Sequence, residues 1–392
     1  MGNFTETIER KGTRSVKWDR LKEVYGVADA TDILPMWVAD MDFAAPEPVI
    51  RAMQERLDHP VFGYSYICDG CKKAVADWLL NRHDWKVEYE WMQFEHGVVP
   101  AIASAVETFT EKGDHVLITT PVYPPFFTIP ALQDRVVVQN PLREKDGIYS
   151  VDFESFEQAI EDNEVKLFIL CNPHNPGGFA WSREDLKKMA GICAEKGVLI
   201  FSDEIHADLM LGGNKHIPMA LAADGTGAKI VTSVAPTKTF NLAGVQAALM
   251  ITEDPELRQQ LEHNAMAHGH SNLNAFAAAA LTAAYEEGGL WLEELIKVIE
   301  ENMDLVIREI PAAVPGVKIN KPDSTYLLWI DYRGTGLSEE EVMDRLLNKG
   351  KIALEPGTKY SEAGRGFLRM NVAAPKSTVE DGIARFIKAF TD

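Results

Sequence analysis

The strongest constraint on the fold is an alternation of short apolar runs and helical patterns through the middle of the chain. The apolar runs are rich in β-branched residues and occupy 115–120, 136–139, 166–171, 198–202, 230–233 and 247–251. Continuous runs of this length are typical of strands that are buried on both faces. Helical patterns lie between several of them, such as 182–196, where Ser182 and Asp185 resemble a capping box. The alternation predicts a mostly parallel sheet in an α/β fold.

The pattern changes near residue 288. A long amphipathic helix is predicted at 290–309, and shorter strand and helix signals follow at 317–320, 326–331, 338–348 and 367–372. This mixture predicts a smaller α+β domain. We therefore expect residues 1–45 to form an N-terminal arm and a small-domain segment, 46–287 a large domain, and 288–392 a small C-terminal domain.

Composition narrows the class of protein. The formal net charge of −20 disfavours a nucleic-acid or anionic-membrane partner, because both reward basic patches. Cys68 and Cys71 form one CxxC pair, which lacks the two further ligands of a zinc site, so we expect structural thiols and no metal. The N-terminus has no apolar signal sequence, and no run approaches the ~20 apolar residues of a membrane span. We expect a cytoplasmic protein with no membrane partner.

Two charged side chains lie at predicted strand ends, where open α/β sheets bind ligands. Lys238 follows the run 230–233 in a loop of small and apolar residues. Partial burial would lower the pKa of its amine, and a neutral amine can form a Schiff base. Asp203 directly follows the run 198–202, and a buried carboxylate needs a partner such as a protonated ring nitrogen. The alternatives are a solvated surface lysine and an aspartate in a salt bridge or helix cap.

Other polar groups fall near the same predicted edge. The turn 172–178 (NPHNPGG) is fixed by two prolines and two glycines, and would orient Asn172 and Asn175 unless their side chains bond only within the turn. Pro100 suits the first position of a helix, whose free N–H groups would suit a phosphate. Tyr123 could stack on a planar ring or only cover the core.

Arg369 lies in the apolar run 367–372. A guanidinium among apolar neighbours requires a carboxylate partner. That partner would be either a bound substrate or an internal acid of the protein.

Six strings together resemble the fold-type I pyridoxal 5′-phosphate (PLP) enzymes of the class I/II aminotransferase superfamily, and within it the MalY/PatB-type carbon–sulfur β-lyases. They are 15–19 (SVKWD), 35–43 (PMWVADMDF), 62–64 (FGY), 172–178 (NPHNPGG), 202–208 (SDEIHAD) and 238–244 (KTFNLAG). The resemblance implies a large domain with a mostly parallel seven-stranded sheet. It also implies PLP as cofactor and a homodimer with shared active sites.

The resemblance also implies residue roles. Lys238 would carry the cofactor as a Schiff base, Asp203 would pair with its ring nitrogen, and Tyr123 would stack on the ring; these three would be the catalytic residues. The other cofactor contacts would be Asn175, His206, Thr237, the Val98 and Val99 amides, and Tyr64 of a neighbouring subunit. The substrate would contact Arg369, Val38, Ala39, Asn172 and Tyr64.

The expected reaction is β-elimination at a carbon–sulfur bond of cystathionine, cysteine or a related S-conjugate, which gives a thiol, pyruvate and ammonia. Two alternatives stay open. One is a PLP-dependent aminotransferase, which needs a keto-acid acceptor. The other is a regulatory protein that uses the same fold to bind a partner.

Overall fold

The structure, a computed structural model, describes residues 2–269 and 272–391. Its strands, in chain order, are β1 (Leu34–Pro35), β2 (Met92–Glu95), β3 (His115–Thr120), β4 (Val136–Pro141), β5 (Arg143–Lys145), β6 (Ile148–Ser150), β7 (Leu167–Cys171), β8 (Leu199–Asp203), β9 (Ile230–Val234), β10 (Ala248–Ile251), β11 (Lys318–Ile319), β12 (Leu327–Asp331), β13 (Ile352–Ala353), β14 (Glu355–Pro356) and β15 (Phe367–Asn371).

The α-helices, in chain order, are α1 (Val16–Asp19), α2 (Leu21–Tyr25), α3 (Glu47–Asp58), α4 (Asp69–His83), α5 (Val98–Phe109), α6 (Pro125–Leu132), α7 (Phe153–Asn163), α8 (Arg183–Lys196), α9 (Met219–Ala222), α10 (Pro236–Thr239), α11 (Pro255–His268), α12 (Ala275–Glu287), α13 (Gly289–Ala313), α14 (Glu339–Asp344) and α15 (Lys376–Phe390). No described helix combines the length and the apolar composition that a membrane crossing requires.

The main sheet has seven strands in the order β2-β10-β9-β8-β7-β3-β4. The strands β3, β4, β7, β8 and β9 run parallel, whereas β10 runs antiparallel to both of its neighbours. The side chains of β3, β7, β8 and β9 are buried on both faces, because α5 and α11 cover one face and α7 and α8 cover the other, whereas the edge strand β4 is largely exposed. The predicted seven-stranded, mostly parallel sheet is confirmed.

A four-stranded antiparallel sheet, β11-β12-β15-β14, forms from the C-terminal part of the chain. The N-terminal strand β1 pairs in parallel with β13, so the start of the chain packs beside this second sheet. The helix α13 spans 25 residues and packs on α12, α15 and β11, which connects the two sheets. The domain boundaries at 45 and 287 stay a prediction.

Two local expectations can be compared directly. Ser182 caps α8, where its Oγ accepts from the Asp185 N–H at 3.0 Å, as the sequence predicts. The expected placement of Pro100 at the first helical position is wrong, because α5 begins at Val98 and its N-cap is Gly97. A proline is tolerated at this third position because the first helical N–H groups have no intrahelical acceptor.

Candidate active site

The carboxyl ends of three parallel strands meet at one edge of the main sheet. Cys171 of β7, Asp203 of β8 and Ser233 of β9 lie side by side in the strand register. The turn 172–178 follows β7, and the short helix α10, which carries Lys238, follows β9. The parallel sheet therefore brings the turn, Asp203 and Lys238 together, as the sequence predicts for residues at these strand ends.

Lys238 is a partly buried amine with a lowered pKa. Its Nζ donates to the Ala39 carbonyl oxygen at 2.6 Å. The pKa of Lys238 is lowered to about 8, because burial and the nearby charge of Arg369 together outweigh the opposing effect of Asp40, Asp203 and Glu355. An amine with this pKa is neutral in a useful fraction of molecules near neutral pH, which nucleophilic attack requires.

Asp203 is a buried carboxyl group that accepts few hydrogen bonds from the protein. Its Oδ1 accepts only from the Ile205 N–H, at 3.2 Å, and no cation of the described residues forms an ion pair with it. Burial raises the pKa of Asp203 to about 7. The salt-bridge alternative is therefore not found, and the carboxyl is available to a cationic partner from outside the chain.

Arg369 points from β15 toward the turn. Its Nη1 donates to Asn175 Oδ1 at 3.1 Å, and its Nη2 donates to the Trp37 carbonyl oxygen at 2.8 Å. Its Nη2 also forms an ion pair with buried Glu355 at 2.5 Å. The internal acid that the sequence left as an alternative thus exists, while Arg369 Nε is buried and has no partner among the described residues.

The remaining predicted residues surround this centre to different degrees. His206 is buried, with Nδ1 unpartnered among the described residues, and burial lowers the pKa of its imidazole well below the usual range, so the ring is neutral. Tyr123 is partly buried beside Phe126, and burial raises its pKa to about 12, with Asp203 adding to the rise. The Asn172 amide turns away from the centre and donates to the Ile217 carbonyl oxygen at 3.0 Å.

Val98 and Val99 are the first two residues of α5, where N–H groups lack intrahelical acceptors, and Thr237 lies beside Lys238 in α10. Tyr64, in contrast, is fully exposed within an exposed segment that includes Phe62 and Tyr66. The structure of one chain does not bring Tyr64 to the other predicted residues.

Sequence reasoning missed the residues that hold the N-terminal segment over the centre. Tyr326 donates its hydroxyl to the Ala39 carbonyl at 2.9 Å, so this oxygen accepts from both Tyr326 and Lys238. The Asn371 amide donates to the carbonyl oxygens of Val38 and Asp40, each at 2.6 Å. Asn371 lies two residues after Arg369, and a polar residue in the apolar run 367–372 was the signal available.

Comparison with known proteins shows the family to which this chain belongs. Residues 31–386 match the family described as aminotransferase class I and II. The chain belongs to this family, and the resemblance seen in its sequence is confirmed.

Three relatives are similar over almost the whole chain. Cystathionine beta-lyase PatB of Bacillus subtilis (strain 168) is 50% identical over 387 residues, which cover 99% of each chain. Protein MalY of Escherichia coli (strain K12) is 32% identical over 393 residues and 99% of each chain. The crystal structure of cystalysin from Treponema denticola, which contains a pyridoxal 5′-phosphate cofactor, has a TM-score of 0.95 at 34% identity and covers 99% of this chain and 98% of its own.

The groups at the centre fit PLP on chemical grounds. An aldehyde needs a neutral amine, a pyridinium nitrogen needs a carboxylate, and a phosphate needs N–H donors. Lys238, Asp203 and the start of α5 offer these groups at one edge of the sheet. The unpartnered Nδ1 of buried His206 is a further polar atom without an acceptor or donor inside the described chain.

Proposed function

We propose that this protein is a PLP-dependent carbon–sulfur β-lyase that converts cystathionine, cysteine or a related S-conjugate into a thiol, pyruvate and ammonia. The observation that carries the proposal is the 50% identity to cystathionine beta-lyase PatB along 99% of both chains. The site supports it, because Lys238, Asp203 and Arg369 lie together with the pKa values and contacts that such chemistry uses.

Each side chain has a proposed task. Lys238 would bind the cofactor and, once displaced by the amino group of the substrate, remove the proton from the substrate Cα. Asp203 would hold a proton on the ring nitrogen, and Tyr123 would pack against the ring with Asn175 and His206 near its oxygen. Bound PLP supplies the electron sink for the charge that develops at Cα. The start of α5, with Val98 and Val99, and Thr237 would hold the phosphate.

The substrate would be fixed through its α-carboxylate. Arg369 would donate to this carboxylate, and the Val38–Ala39 segment and Asn172 would border it. When the Cα proton leaves, the Cβ–S bond breaks and the electron pair departs with sulfur as a thiolate. Hydrolysis of the unsaturated amino acid then gives pyruvate and ammonia, so no keto acid is consumed.

We also propose that the protein is a cytoplasmic homodimer. The exposed apolar segment of Val61, Phe62, Tyr64 and Tyr66 supports a second subunit, because a run of exposed large hydrophobic residues is typical of an interface. In that arrangement Tyr64 would reach the site of the neighbouring subunit.

The test is a panel of cystathionine, cysteine, cystine and S-alkyl cysteines, each scored for pyruvate without added keto acid. We expect the wild type to release one pyruvate for each sulfur product: a thiol from cystathionine and the S-alkyl cysteines, sulfide from cysteine and a persulfide from cystine. The Lys238→Ala variant should lose both turnover and the visible absorbance of the bound cofactor. Release of pyruvate only when a keto acid is present would show an aminotransferase instead, and absence of both activities would favour the regulatory alternative.

A further inference from the structure

A small charge cluster surrounds Arg369. Glu355 of β14 and Arg369 of β15 lie opposite each other in the strand register, so their side chains leave the same face of the sheet. Both side chains are buried, and the Nη2–Oε2 distance is 2.5 Å. An isolated pair of this kind has no net charge, so it offers an incoming anion little long-range attraction.

A second cation completes the cluster. Lys359 forms an ion pair with Glu355 Oε1, and the Tyr360 hydroxyl donates to Oε2 of the same carboxylate. The Lys359 side chain is 41% exposed, and its ammonium lies 5.5 Å from the centre of the Trp37 ring. The cluster of Glu355, Lys359 and Arg369 therefore carries two positive charges and one negative charge.

Glu355 stays ionised in this setting. Burial alone would raise its pKa, but Arg369 and then Lys359 outweigh burial, so the pKa of Glu355 lies below its usual value. The net charge of the cluster is thus +1 at neutral pH, which matches one carboxylate.

The donors of Arg369 show where that carboxylate would bind. Both Nη2 hydrogens are occupied, by the Trp37 carbonyl and by Glu355. Nη1 uses one hydrogen for Asn175, and Nε, although buried, has no partner among the described residues. The Nε hydrogen and the second Nη1 hydrogen are thus the donors left for an anion, which would not have to displace Glu355 to use them. Binding there also requires a further cation that offsets the negative charge of Glu355.

Resting on the proposed function, we propose that Lys359 is a substrate-binding determinant: it offsets Glu355 and supplies the net positive charge that draws the substrate α-carboxylate to Arg369. Glu355 acts as a positioning residue, since it holds the guanidinium through Nη2.

The test uses Lys359→Met, Glu355→Gln and the double variant, with KM and kcat measured for pyruvate release. Because Lys359 is partly exposed and its charge is screened, we expect Lys359→Met to raise KM about threefold to tenfold, with a much smaller change in kcat. Glu355→Gln keeps an oxygen for Arg369 but removes the negative charge, so KM should fall. The double variant should return toward the wild-type KM.

The control is Lys388→Met, which removes an exposed lysine of α15 and should leave KM unchanged. Calorimetric titration of the holoenzyme with propionate, a short monocarboxylate, gives a second readout that needs no turnover. Affinity for propionate should follow the same order as 1/KM, and its salt dependence should weaken in Lys359→Met.

Two outcomes would overturn the inference. If both single variants raise KM and weaken propionate binding, the cluster only maintains structure. If neither changes them, its charge is irrelevant to binding. Should Glu355→Gln fail to fold, the salt dependence of Lys359→Met decides alone. Failure of the proposed function is distinct, because the wild type would then release no pyruvate while propionate binding could still be measured.

Discussion

At the scale of single residues, Asp203 and Lys238 are both shifted toward their neutral forms. Burial is the main cause in each case: it raises the pKa of Asp203 to about 7 and lowers the pKa of Lys238 to about 8. Neither shift stabilises the free protein, because each records a charged form that the fold disfavours. Both pKa shifts suit a site that is completed by the bound cofactor, whose ring nitrogen would pair with Asp203 and whose aldehyde would react with the neutral amine of Lys238.

The Asp203 shift predicts how the stability of the apoprotein depends on pH. The pKa of an unfolded aspartate is about 3.9, so the folded state binds this proton more tightly and stability is lost as pH rises from about 4 to about 7. Asp203→Asn removes this loss, and at pH 8 the apoprotein should gain on the order of 4 kcal/mol. Urea unfolding of both apoproteins at pH 5 and pH 8 measures the difference.

Asp208 provides the matched control for this prediction. It is also buried, yet it accepts hydrogen bonds from Trp78, His83 and Thr239. Burial would raise its pKa, but the hydrogen bonds from His83 and Thr239 and the electrostatic attraction of His83 and Arg82 outweigh burial, so the pKa of Asp208 is lowered and Asp208→Asn should destabilise at pH 8. A loss of stability in both variants would contradict the assignment of Asp203 as the unsupported carboxyl.

At the scale of elements, the sequence predicted those strands of the main sheet that consist of a continuous apolar run. All six apolar runs are strands, each within two residues of the predicted ends. The seventh strand, β2, escaped because Met92–Glu95 is short and alternates apolar and polar residues. The hairpin β5–β6 escaped because its strands have only three residues each, all three residues of β5 are charged, and four of the six residues are exposed. Neither carries the apolar run that marks a buried parallel strand.

The residues of the candidate site also divide into those that the sequence could predict and those that it could not. Residues at strand ends, such as Asp203 and Lys238, could be predicted because parallel strands share one carboxyl edge. The partner of Arg369 could not, because Glu355 is 14 positions away in the sequence and meets it only through the register of β14 and β15. Tyr326 and Asn371 were missed for the same reason, since their acceptors lie on the distant N-terminal segment.

The short helix α10 provides the prediction at this scale. Four residues cannot hold a helix in place by themselves, and α10 is tied to the core by the Thr239 hydroxyl, which donates to Asp208 Oδ2 at 2.7 Å. Thr239→Val should cost about 1–2 kcal/mol of unfolding free energy and lower kcat, because Lys238 is the preceding residue. Thr239→Ser keeps the donor and should retain most of both. Equal losses in the two variants would show that packing, not the hydrogen bond, holds α10.

At the scale of the whole molecule, the site is built from both ends of the chain. The main sheet supplies Asp203 and the helix α10 that follows it supplies Lys238, the second sheet supplies Arg369, and the N-terminal segment supplies the Ala39 carbonyl oxygen. The segment is held by backbone pairing of β1 with β13 and by the ion pairs of Asp42 with Arg10 and Lys17. The geometry of the candidate site therefore depends on the relative positions of the main sheet, the second sheet and the N-terminal segment.

The exposed Tyr64 predicts complementation between subunits. Consider a hybrid dimer of one Lys238→Ala subunit and one Tyr64→Ala subunit. If each site combines Lys238 of its own subunit with Tyr64 of the neighbouring subunit, one site of this dimer has both residues and the other has neither. We expect weak activity from each parent and about half of the wild-type activity from the purified hybrid dimer. Activity of the hybrid no higher than that of the Tyr64→Ala parent would mean that Tyr64 serves its own subunit or none.

The pairing of β1 with β13 also has a consequence for protein synthesis. Leu34 and Ile352 are direct partners, so the N-terminal strand must wait for almost the entire chain to leave the ribosome. Glu355 and Arg369 emerge later still, and only then can the Trp37 carbonyl find its donor. Until that moment the nascent chain can form the main sheet around Asp203 and Lys238 but not a closed site. A chain stalled on the ribosome before residue 352 would therefore contain a folded main sheet with Lys238 but would lack Arg369, the residue proposed to bind the substrate carboxylate.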